Sequence, residues 1–110
     1  MGAEADHPLF ERYVTPDYPS TLLKDRLLAS VRVDYDIHHD GSVHAIRIIE
    51  STDPLVADIA RSAVRQWRFK PWRVTERMPA EIRETVLFVF DQALREQGLR
   101  MLISWERRDS

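Results

Sequence analysis

The alternation from Val31 to Ile37, followed closely by Asp40-Gly41, constrains this chain more than any other feature. Val31, Val33, Tyr35 and Ile37 point to one side of an extended segment, and Arg32, Asp34 and Asp36 point to the other. That is the period of a half-buried strand. Asp-Gly is a tight-turn dipeptide, so His39-Asp40-Gly41-Ser42 sends the chain back as a second strand, Val43 to Glu50. The returning pattern is imperfect around Ala45-Ile46 and Ile48-Ile49, which fits a bulge or burial on both faces.

The apolar face of this hairpin needs a cover, and the next segment can supply it. Thr52 or Asp53 can cap a helix with Pro54 at its first position, where a missing amide proton costs nothing. Leu55, Val56, Ile59, Ala60, Ala63, Val64 and Trp67 recur at helical spacing, with Asp58, Arg61, Ser62 and Arg65 opposite. Arg65, Arg68 and Lys70 lie near the end, where cations suit the helix dipole, and Pro71 is the stop. Trp72 to Ala80 is a polar connection. Ile82 to Phe90 is then a third strand, apolar on both faces from Val86 to Phe90 and so well buried.

Both ends are less regular. Residues 1–14 read as a flexible arm. Pro16 and Pro19 favour extended backbone before each of them, and Ser20 can cap a short helix over Thr21 to Leu28. The extension 91–110 favours a helix, since Ala93 to Gln97 are good helix formers and Leu94, Met101, Leu102 and Trp105 can share a face. Leu99 to Trp105 also reads as a strand beyond Gly98. The expected fold is α+β: a small antiparallel three-stranded sheet with one main helix on one face, a short N-terminal helix, and an extra C-terminal helix or strand.

With 110 residues, 44% apolar and 31% charged, the chain is one globular domain. A formal charge of −2 makes no case for nucleic acid or anionic lipid, and without cysteine there is no disulfide or thiolate ligand. No apolar run reaches bilayer length, and Met1 to His7 has no signal core. A role outside the cytoplasm would make this a piece of a longer protein, with Met1-Gly2 as an added start.

Four features in order resemble the TonB carboxy-terminal domain family. Pro16-Asp17-Tyr18-Pro19 resembles its Pro-x-Tyr-Pro opening segment. Val31 to Ile37 with Asp40-Gly41-x-Val43 resembles its first hairpin. Glu50-Ser51-Thr52 falls where the family often carries paired serines. Ala63 to Pro71, with Trp67-Arg68-Phe69-Lys70-Pro71, resembles its Trp-Arg-aromatic-x-Pro signature. The likeness covers about Thr15 to Phe90, so residues 15–90 are taken as the family-like domain.

The resemblance implies a periplasmic adaptor, anchored to the inner membrane in its full-length parent. Such an adaptor grips the N-terminal box segment of a TonB-dependent outer-membrane transporter for iron-chelate, haem or cobalamin uptake. It couples proton-motive energy through an inner-membrane motor complex that the missing upstream region would contact. The guest adds as a strand to Ile82–Phe90, so the implied partner-binding residues are Ile82, Glu84, Thr85, Val86, Leu87, Phe88 and Val89, with Pro16, Asp17 and Tyr18 nearby. Val33, Tyr35, Ile59, Ala63, Trp67 and Phe69 are the implied core. A homodimer through the same edge is a further possibility, and adaptors of secretion or signalling complexes and a plain oligomerisation module are the alternatives.

The residues make no case for catalysis, cofactor or metal. No Ser-His-Asp grouping has a nucleophile elbow, and no glycine-rich loop cradles a phosphate. His38-His39-Asp40 reads as a polar turn, because neighbours in a strand face opposite ways. Trp67, Phe69 and Trp72 read as packing rather than a stacking platform for bases or sugars.

Overall fold

In the computed structural model, which describes residues 7–19, 28–93 and 101–108, the hairpin forms where its alternation places it. Strand β2 (Leu28–His38) pairs antiparallel with β3 (Val43–Ser51). Gly41 makes the turn with φ +93°, and Asp40 braces it by accepting from the Ser42 amide (2.9 Å) and hydroxyl (2.6 Å). The register slips twice, between Arg32 and Val33 and between Asp34 and Asp36. Those slips fall opposite Ile49 and Ala45-Ile46, where the alternation fails, and Ala45 takes φ 52° to accommodate its bulge.

Helix α1 (Pro54–Arg65) begins at Asp53, whose carboxylate accepts from the Leu55 amide at 2.8 Å. Thr52 is occupied elsewhere: it exchanges backbone and side-chain hydrogen bonds with Ser30, tying the start of the helix to β2. Val56, Ala60, Ala63 and Val64 bury one face against β2 and β3. The helix ends at Arg65, well short of Pro71. Arg68–Phe69 instead form β4, which pairs with a strand of the N-terminal arm, β1 (Phe10–Arg12). The arm is thus part of the fold from Pro8, which is buried, rather than loose through residue 14.

Strand β5 (Glu81–Asp91) pairs with β2 along eleven unbroken register pairs, from Leu28↔Asp91 to His38↔Glu81. The last strand, β6 (Leu102–Arg108), pairs antiparallel with β5. The main sheet is therefore four-stranded, in the order β3-β2-β5-β6, with α1 across one face. The α+β architecture is the expected one; of the two alternatives for the C-terminal extension, residues 102–108 take the strand rather than the favoured helix and add a fourth strand to the sheet. A strand wins because the ladder of β5 offers backbone partners, and Ile103 and Trp105 suit a strand better than a helix. The short helix expected over Thr21 to Leu28 lies outside the described residues, except that Leu28 opens β2. The helix formers Ala93 to Gln97 also lie outside them from residue 94 onward.

The core sits between α1 and the sheet. Val31, Val33, Tyr35 and Ile37 of β2 and Val86, Phe88 and Phe90 of β5 are fully buried around Trp67. Val33, Tyr35, Trp67, Ala63 and Phe69 are thus all buried, whereas Ile59 is only partly so and faces a small cleft beside Pro16.

Candidate functional site

Strand β5 is where the sequence directs attention, and its two parities do different work. Ile82, Glu84, Val86, Phe88 and Phe90 point to the helix side, in register with Ile37, Tyr35, Val33, Val31 and Ala29. Thr85, Leu87 and Val89 point to the other side. Thr85 is buried there and donates to the Asp34 carboxylate. The nominated residues Ile82, Glu84, Thr85, Val86, Leu87, Phe88 and Val89 thus present little side chain to solvent; whatever they offer a partner is backbone.

That backbone is covered on both flanks. β2 takes one, and β6 takes the other from Arg83↔Arg108 to Val89↔Leu102. The flank to which the guest was expected to add is occupied by the chain's own C-terminal strand. The remaining edges of the sheet are unequal. The outer edge of β3 is broken by two bulges and by the positive φ of Ala45, which spoils it as a template for an added strand.

β6 is held to the sheet by the ring contacts of Trp105 as well as by its ladder. Trp105 lies opposite Val86 on the helix side, with its ring against Phe10, Tyr13 and Trp67. The Tyr35 hydroxyl donates to Oε1 of Glu84 at 2.8 Å. β2 and β5 are therefore linked by a buried polar pair. Glu84 is only 7% exposed, and burial pushes its carboxyl up from the usual range. The Tyr35 hydrogen bond and the charges of His7 and Arg107 offset part of that rise. Burial, together with the Glu84 charge, likewise pushes the Tyr35 hydroxyl up. A cavity of about 470 Å³ opens beside this pair, bounded by His7 to Phe10, Phe69, Glu84, Trp105 and Arg107.

Pro16, Asp17 and Tyr18 are not gathered with the whole of β5. Pro16 is buried, and with Asp17 it lines the small cleft beside Ile59 and Ala63. Tyr18 reaches the far end of β5: its ring meets Phe90 edge-on at 6.0 Å, and its hydroxyl donates to Gln92 at 3.4 Å. Ile82 is at the opposite end of the strand, about 27 Å away at 3.4 Å per residue. His38 pairs with Glu81 at 2.8 Å and stacks on His44 at 3.9 Å, and among the described residues no His, Asp and Glu side chains gather to hold a metal ion.

A family model described as Gram-negative bacterial TonB protein C-terminal matches residues 14–91. The chain belongs to this family. No curated protein matches it. It is accordingly a TonB-like periplasmic domain of outer-membrane transport, from a transport family rather than an enzyme family, and one whose interaction partners are TonB-dependent outer-membrane receptors. No helix among the described residues is long and apolar enough to cross a membrane. The family match stops at Asp91, where β5 stops, so β6 lies beyond the part of the TonB-like chain that the family shares.

Three residues that sequence reading did not nominate pack beside the β5–β6 pair: Trp105, Phe10 and Tyr13, whose rings cluster beside Trp67. A signal was present in Glu84, a carboxylate at an inward parity among Ile82, Val86, Phe88 and Phe90. An acid at such a position needs a polar partner, and the pattern of β5 alone does not name one.

Proposed function

We propose that this TonB-like domain grips the N-terminal box segment of an outer-membrane transporter by strand addition to the outer flank of β5, with β6 leaving to make room. The observation that carries this is the end of the family match at Asp91: without β6, the edge of the shared domain is β5. The evenness of β5 supports it, since neither of its ladders has a register slip, unlike the ladder of β3. Backbone pairing places few demands on the partner's sequence. In this reading the full-length parent is anchored in the inner membrane and passes proton-motive energy to the grip.

Replacing β6 changes the energetics of binding. A guest strand gains about 0.5–1.5 kcal/mol net per ladder hydrogen bond, and β6 forfeits similar bonds on leaving. The exchange is near balance, so the side chains decide it, and the observed affinity falls with the fraction of molecules in which β6 is docked. That suits a grip that must release. Titration with a box peptide should move the amide resonances of β5 and β6 and the Trp105 indole resonance. Shifts confined to β3, or none at high excess, would overturn the proposal.

A further inference from the structure

Resting on the reading that β6 must leave for a guest to dock, we propose that the N-terminal arm is the latch that keeps β6 in place. The arm is itself held at a few points. β1 matches β4 at Phe10↔Phe69 and Arg12↔Arg68, the Lys70 amide donates to the Leu9 carbonyl at 2.7 Å, and the Trp67 indole N–H donates to the Val14 carbonyl at 2.8 Å. Phe10 stacks on Phe69 at 4.4 Å and meets Trp67 edge-on at 5.0 Å.

The same rings receive β6. Trp105 lies 5.9 Å from Phe10, 6.4 Å from Tyr13 and 6.3 Å from Trp67. Trp105 keeps 43% of its surface exposed and Tyr13 keeps 38%, so each sits at the margin and covers part of the other's apolar surface. His7, Leu9 and Phe10 also share a cavity wall with Trp105 and Arg107. When the arm lifts, Trp105 loses two of its three ring neighbours, Phe10 and Tyr13, and keeps Trp67. When β6 lifts, Phe10 and Tyr13 lose the ring that closes their outer side. Each segment therefore stabilises the other, and the coupling is reciprocal by linkage. The segment through which the chain enters the domain thereby sets how often the β5 flank is bare.

Amide hydrogen exchange on the whole chain, with no partner present, tests this. Phe10→Ala should speed exchange of β6 amides about tenfold, the scale of one or two aromatic contacts, and leave the β2–β3 ladder unchanged. Trp105→Ala should speed exchange of the Lys70 amide and the Trp67 indole N–H by a similar factor, and the double variant should fall short of the product of the two effects. If Phe10→Ala loosens β2 as well, Tyr13→Ala is the variant to read, because half-exposed Tyr13 touches Trp105 with less of the core at stake. Unchanged β6 exchange in an arm variant whose Lys70 amide has opened would overturn the latch, as would multiplicative effects in the double variant. Because no guest is present, that outcome leaves strand addition standing; a domain with coupled segments that still ignores the box peptide would sink strand addition alone.

Discussion

A disulfide across β5 and β6 isolates the step on which docking depends. Leu87 and Ser104 are register partners on the face away from α1. Directly opposed Cβ atoms lie about 4.5–5.5 Å apart, close to what a disulfide needs. The chain has no cysteine of its own, so Leu87→Cys with Ser104→Cys forms one defined bond. It closes a loop of about 17 residues, worth about 3 kcal/mol of denatured-state entropy, or about 10–20 °C in Tm. The oxidised form cannot release β6, and calorimetric titration with a box peptide should show affinity reduced at least 100-fold, about 2.8 kcal/mol. Adding reductant should restore it in the same sample. Unchanged affinity of the oxidised form would refute displacement, and would move the guest to the outer side of β6 or off this flank altogether.

Two further outcomes test the framework around the site. Gly41→Ala should cost about 3–5 kcal/mol by denaturant melt, because a Cβ there would lie 2.0 Å from the Phe69 carbonyl oxygen at a φ of +93°, and relief would break the 2.9 Å bond from the Phe69 amide to the Gly41 carbonyl; a loss under 1 kcal/mol would contradict this. Glu84→Gln tests the buried acid: its raised carboxyl means that the folded state holds the proton more tightly than the unfolded chain. Its contribution is therefore full below its ordinary value of 4.5 and is lost as pH rises through the folded-state value. The Gln variant should gain stability relative to the parent as pH rises above 4.5, with its amide oxygen still accepting from Tyr35; a parent–variant difference that stays flat as pH rises would refute the assignment.

Local pattern alone determined the elements whose burial runs along a single segment. The alternation of Val31 to Ile37, the Asp40-Gly41 turn, the irregularities at Ala45-Ile46 and Ile48-Ile49, and the cap before Pro54 each have a local cause, and each appears in the structure. Tertiary structure decided what depends on a distant partner. Trp67 leaves the helical spacing it was read in because Arg68–Phe69 pair with Phe10–Arg12, far away in sequence. Leu102 to Arg108 become a strand because β5 has a ladder to offer, and Glu84 is tolerable inside because Tyr35 donates to it from another strand. Side-chain periodicity records which face is buried and is written residue by residue. Hydrogen-bonded neighbours across a sheet are chosen by every strand that can reach the edge, and that competition is settled only when the chain is folded.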